Sequence, residues 1–232
     1  MRIGLTQRVE HIASYGERRD CLDQAWTALL EGMDMIPVPL PSCLRAPARH
    51  VEALALDGVI LTGGNDLCGL PGASNTAPER DALEAALLEL ARTRGLPVLG
   101  VCRGLQHIVA HHGGALRRVE GHVRARHPIT REPGVRPELP LTDRDEVNSF
   151  HGYGVTPEDL ASARGLLALA RAPDGTVEAV VHERLPIAGI MWHPERAPND
   201  PRDRALISAF FRGSSPASSS PASSPASSSP PS

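Results

Sequence analysis

The chain is 232 residues long, with 24 basic against 27 acidic side chains and a formal charge of −3. That length buries one full core, and that balance excludes the strong positive field of a nucleic-acid or anionic-membrane binder. All 24 basic residues are arginine, which also excludes chemistry that needs a lysine: a P-loop, a pyridoxal Schiff base or a Ser/Lys hydrolase.

In chain order, apolar runs alternate with amphipathic ones. A strand is predicted at Arg2–Thr6, and a helix from Glu17 to Glu31 that Gly32 ends. A strand at Met35–Leu40, a short helix near Ala48–Ala55 and a strand within Asp57–Gly64 follow. A helix over Pro78–Arg94 and a strand within Leu96–Val101 complete a βαβαβαβ order. Strands without a polar face, separated by helices, predict an α/β fold: a mostly parallel central sheet with helices on both sides. The later runs "DEVNSF", "TVEAVVHE" and "IAGIMWHPE" are joined by loops and predict antiparallel additions in the second half. Residues 214–232 contain only Ser, Pro and Ala, which leaves nothing to offset the entropy of ordering, so a domain over 1–213 and a disordered tail are expected.

The four cysteines, Cys21, Cys43, Cys68 and Cys102, show no CxxC spacing. Neither a charged-then-apolar leader nor an apolar run near the ~20 residues of a membrane span occurs, which predicts a cytoplasmic protein with reduced thiols. Among the four, Cys102 is set apart by "GVCRG": a buried strand runs into a helix through one tight turn, with Gly100 and Gly104 small enough for strand and helix to approach. A cysteine at a helix N-terminus meets unpaired backbone N–H groups and the positive end of the dipole, which favour the thiolate and make it a nucleophile.

A thiolate nucleophile needs an imidazole to move protons and a group to orient that imidazole. "HPE" offers both, because His193 and Glu195 stand two apart around Pro194 and share one side of an extended segment. His107 and His111 have the i, i+4 spacing of a metal pair but no HExxH partner, so neither a metal nor a cofactor is expected. "LTGGND" supplies a glycine turn at the neighbouring strand end, where the Gly64 N–H and the Arg103 N–H after the nucleophile would receive an oxyanion.

These motifs together resemble the class I glutamine amidotransferase superfamily, in particular its free-standing γ-glutamyl hydrolase branch, peptidase family C26. The residues that carry the likeness are Thr62–Asp66, Gly100–Gln106, Val147–His151 and His193–Glu195. The resemblance implies the flavodoxin-like sheet of that superfamily, a Cys102, His193, Glu195 triad, and an oxyanion hole at Gly64 and Arg103. It further implies that Gln106, Ser149, Phe150 and His151 grip a glutamyl head group, and that a small γ-glutamyl substrate, not nucleic acid or membrane, is the partner. "YGERRDCLDQAW", "APERD", "GHV" and "GIMWHPER" resemble a narrower group, the γ-glutamyl-CDP-amidate hydrolases of bacterial surface phosphoramidate biosynthesis, which implies that Arg18, Arg19 or other arginines meet a pyrophosphate. Release of glutamate from a γ-glutamyl amide is the expected reaction. A glutaminase subunit feeding a synthetase, a γ-glutamyl-GABA hydrolase and a non-catalytic binding module stand as alternatives, and a homodimer or a synthetase partner stays open.

Overall fold

Segments such as "GVIL" and "VLGV" present no polar face and are stable only between two layers. Both are buried at every position in the structure, a computed structural model that describes residues 1–214. The elements are β1 (Arg2–Thr6), β2 (Arg8–Ile12), β3 (Glu17–Cys21), α1 (Ala25–Glu31), β4 (Ile36–Leu40), α2 (Pro47–Ala53), β5 (Gly58–Leu61), α3 (Pro78–Arg94), β6 (Val98–Val101) and α4 (Arg103–His111). They continue with β7 (Arg117–Arg118), β8 (Val123–Arg131), β9 (Arg144–Phe150), β10 (Tyr153–Gly154), α5 (Pro157–Ala161), β11 (Leu166–Arg171), β12 (Val177–His182), β13 (Ile187–Ile190) and α6 (Pro201–Ser214).

Nine strands form one sheet in the order β4-β1-β5-β6-β13-β12-β11-β8-β9. The first five run parallel, and the last four extend the sheet antiparallel, as the sequence pattern predicts. Alternate side chains feed two cores. Ile60 joins Trp26 and Leu29 of α1 and Ile207 and Phe211 of α6, while Val59 and Leu61 join Leu83 and Leu87 of α3 and Leu105 and Ile108 of α4. The carboxyl ends of β1, β5 and β6 and the segment after β13 therefore meet at one rim, where ligands bind in open α/β sheets.

One predicted element is wrong. Glu17–Cys21 is not the start of a helix but a strand, paired antiparallel with β2 in a hairpin whose registers include Glu10 opposite Arg19. Gly16 turns the chain at φ 64°, and the hairpin is held down from outside: the Asn65 side chain accepts from Val9 N and donates to Val9 O. The charged run has no apolar stripe to bury, so the helix begins only at Ala25, where Trp26, Leu29 and Leu30 face the core. At the other end, α6 runs to Ser214, one residue past the boundary expected for the domain, and the rest of the Ser/Pro/Ala tail lies outside the described residues. Among the described residues no helix is long and apolar enough to cross a membrane.

Candidate active site

Cys102 sits between β6 and α4 at φ 53°, ψ −104°, a conformation that costs a non-glycine residue about 1–3 kcal/mol and persists only when its surroundings impose it. They do. Its N–H donates to Ile190 O at 2.8 Å and its carbonyl accepts from Gln106 N at 3.1 Å, so strand β13 and helix α4 hold it from both sides. A Cβ on Gly100 would stand 2.5 Å from the Gly104 carbonyl carbon, and one on Gly104 would stand 2.1 Å from Leu61 O. The glycines flanking the cysteine are required by the closeness of helix to strand.

His193 lies on the segment after β13, and its Nδ1 is 2.7 Å from Glu195 Oε1. A Cβ on Gly63 would come within 2.9 Å of the His193 ring and 3.7 Å of Cys102 Cβ, so that glycine is the gap through which the imidazole reaches the elbow. Burial opposes a charge on the ring, but hydrogen bonding and charge from Cys102 and Glu195 outweigh it and push the His193 pKa up to about 10. Nε2 is buried and has no hydrogen-bond partner of regular geometry among the described residues. Asn148 fixes the histidine's backbone twice over, its side chain accepting from His193 N and donating to His193 O, each at 2.9 Å. The Phe150 ring stands edge-on to the imidazole at 5.8 Å.

Beneath the elbow lies a buried ionic network. Glu84, fully buried, bonds Arg80 at 2.8 Å and also Arg103, which in turn reaches Asp81. Burial works against the Glu84 charge, yet Arg103 and Arg80 hold its pKa down at about 2. Arg80 donates to the carbonyls of Thr62, Gly63 and Gly64 at 2.5, 3.1 and 2.7 Å. Those three carbonyls are thereby tied to α3 on the core side, and Gly64, at φ 83°, is left beside the cysteine. The Arg103 side chain belongs to this network and so is not in the cavity; its backbone N–H lies at the start of α4.

Cys102, His193, Glu195, Gly64 and Phe150 line one cavity of about 430 Å³, together with Arg8 of the β2–β3 hairpin and Trp26 of α1. The other expected substrate contacts are not in its lining. Gln106 donates its Nε2 to Tyr153 O at 2.8 Å, the Ser149 hydroxyl donates to His122 O at 2.8 Å, and His151 turns to Glu178. Arg18 and Arg19 also face away, paired with Glu79 and Glu17. His107 and His111 diverge toward Glu84 and Glu89 and do not converge on one point. Sequence reasoning missed Gly63 and Asn148, although both stand inside the quoted motifs. It also missed Arg80 and Glu84, whose signal was a charge pair on the same helical stripe as the core residues Leu83 and Leu87.

A parallel sheet whose strand β6 ends in a cysteine elbow, with a glutamate-backed histidine after the next parallel strand, defines a class of α/β proteins with a buried cysteine at a strand–helix turn. Within that class, residues 3–195 match the Peptidase C26 family model, and the chain belongs to that family. It is 32 % identical over 200 residues to a Campylobacter jejuni γ-glutamyl-CDP-amidate hydrolase, spanning 84 % of this chain and 90 % of the relative. It is 36 % identical to an Escherichia coli O157:H7 γ-glutamyl-γ-aminobutyrate hydrolase, over 69 % of this chain and 72 % of that one. The crystal structure of a Thermoplasma acidophilum protein named as a GMP synthase subunit superposes with a TM-score of 0.62 over 92 % of this chain and 94 % of the other; at 16 % identity, that likeness is one of fold.

Proposed function

We propose that the protein hydrolyses a γ-glutamyl amide through a covalent glutamyl-enzyme. The observation that carries the reading is the convergence of Cys102, His193 and Glu195 in one cavity, and hydrogen bonding and charge from Cys102 and Glu195 favour the charged form of the imidazole there. The Cys102 sulfur attacks the amide carbon, and the oxyanion receives the Gly64 and Arg103 N–H groups. His193 passes its proton to the leaving nitrogen, the C–N bond breaks, and a thioester remains. Water then attacks the thioester, its proton goes to His193, and glutamate leaves as the sulfur is regenerated.

The finer reading is that the departing amine carries phosphate, as in γ-glutamyl-CDP-amidate. Two features support it. The relative named for that substrate is matched over nine-tenths of its length, and a second cavity of about 570 Å³ shares Phe150 and Arg196 with the first and adds Arg124 and Arg126. Arg126 is paired with Glu146, whereas Arg124 and Arg196 have no carboxylate partner among the described residues, which suits a phosphate-bearing group.

The test is a panel of glutamine, γ-glutamyl-GABA, γ-glutamyl peptides and γ-glutamyl-CDP-amidate, with glutamate release and intact mass both followed. Glutamate release with a transient glutamyl adduct is expected, greatest for the phosphate-bearing compound. Cys102→Ala should lose at least about 10⁴-fold in turnover while remaining folded. A folded Cys102→Ala enzyme that still turns over, or a wild type that forms no adduct with any compound, would refute the assignment. Faster release from γ-glutamyl-GABA would keep the reaction and discard the finer substrate.

A further inference from the structure

Four side chains outside the cysteine cavity meet where the antiparallel strands join the loops of the parallel ones: His122 just before β8, His127 within β8, His151 just after β9 and Glu178 in β12. One nitrogen or oxygen from each lies within 4.8 Å of all the others. Glu178 is completely buried, and His122 and His151 are each 3 % exposed. Glu178 Oε1 is 3.4 Å from His122 Nδ1, 3.5 Å from His151 Nε2 and 3.9 Å from His127 Nε2. Neither Glu178 oxygen has a hydrogen-bond partner among the described residues, nor do the Nε2 atoms of His127 and His151.

The outer bonds of the three rings set their tautomers. His122 Nε2 is 2.9 Å from Asp174 Oδ2, His151 Nδ1 is 3.0 Å from Tyr153 O, and His127 Nδ1 is 3.1 Å from Pro128 O. A carboxylate or a carbonyl only accepts, so in each neutral ring the outer nitrogen carries the proton. The Ser149 hydroxyl, 3.5 Å from His122 Nδ1, donates to His122 O at 2.8 Å, so the inner nitrogens are three lone pairs beside a carboxylate with no strong donor among them, away from water. Such a set is strongly unfavourable unless a cation fills it or the rings themselves become charged. Its spacing favours a cation, since a tetrahedral zinc site with bonds of about 2.0–2.1 Å has ligand-to-ligand edges of about 3.4 Å. The three distances from Glu178 lie at or slightly above that edge. The outer carboxylate and carbonyl contacts are also those that orient metal-bound imidazoles.

We propose that His122, His127, His151 and Glu178 form a closed site of three nitrogens and one oxygen for zinc or a similar divalent transition metal, contrary to the expectation of no metal. All four positions are filled by protein, so the ion is structural, with no open position for substrate. It ties β8, β12 and the end of β9 together behind Phe150, the side chain that borders His193. The proposal does not rest on the assigned reaction.

The test uses tag-free, full-length protein purified without chelator. Elemental analysis should find about one zinc per chain, and stripped protein titrated with cobalt(II) should show the visible bands of a four-coordinate ion. His127→Gln, which alters the least buried of the three rings, and Glu178→Gln should each weaken metal binding at least about tenfold, while Cys102→Ala keeps its metal. If Glu178→Gln does not fold, His127→Gln carries the test. Wild-type protein with under about a tenth of an ion per chain and no cobalt bands overturns the site. So does unchanged affinity in folded His127→Gln, or loss of the metal in Cys102→Ala.

Discussion

Two glutamates, Glu84 in α3 and Glu178 in β12, are fully buried, and their surroundings differ completely. Glu84 meets two guanidinium groups and the Thr6 hydroxyl, so its charge is matched and its hydrogen bonds are made. Glu178 meets three imidazoles at 3.4 to 3.9 Å, and its carboxylate makes no hydrogen bond among the described residues. Arginine is always protonated, whereas histidine is a donor or an acceptor according to its tautomer and charge. The carboxylate of the first cluster is matched as folded, and the second needs a positive charge from elsewhere or from its own rings.

The largest expected effect is on the first cluster. Glu84→Ala leaves Arg80 and Arg103 buried without their shared carboxylate, and denaturant unfolding should show a loss of about 3–5 kcal/mol. Acid should act on the same group. The Glu84 pKa is lowered from 4.5 to about 2, so its contribution is full above 4.5 and disappears as the pH falls through about 2. An equal loss on making Glu178→Ala in metal-free protein would erase the distinction between the clusters.

The shift of the His193 imidazole has the opposite sign. The His193 pKa is raised from 6.5 to about 10, so the stability it contributes is full below 6.5 and is lost as the pH rises through about 10. Glu195→Gln removes one source of the shift. It should lower kcat/KM about 10²-fold and move the alkaline limb of its pH profile to lower pH; an unmoved limb would show that Glu195 does not sustain the charge.

A smaller effect, of reversing sign, separates a metal site from a proton site. In metal-free protein Glu178→Gln gives the three lone pairs an N–H donor and should raise stability by about 1–2 kcal/mol. In zinc-loaded protein the same change should lower the melting temperature. Smallest of all is Arg18→Gln, because Arg18 pairs with Glu79 on the surface away from the cavity; KM for a phosphate-bearing substrate should stay within about twofold.

Much of this arrangement is legible in the chain. Buried strands without a polar face betray a parallel sheet, and the placement of Gly100 and Gly104 around Cys102 betrays the elbow, because both are local steric requirements. Glu17–Cys21 is misread from sequence because charge spacing alone does not distinguish a solvated helix from a solvated hairpin; the Gly16 turn and the Asn65 clamp decide it. Gln106, Ser149 and His151 stand at motif positions that suit substrate contact, yet side chains at adjacent positions of an extended segment face opposite ways, and Phe150 takes the cavity side while its neighbours turn inward. The cluster around Glu178 draws on residues from 122 to 178, a separation no spacing rule spans.

The β2–β3 hairpin borders the cavity without belonging to the nine-stranded sheet, and it hangs between β1 and α1 as a separate flap. Of its residues Arg8 and Cys21 line that cavity, whereas Cys102 is held by β13 and α4 and the backbone of His193 by Asn148, so changes in the hairpin would alter the cavity wall without touching the contacts that hold those two residues.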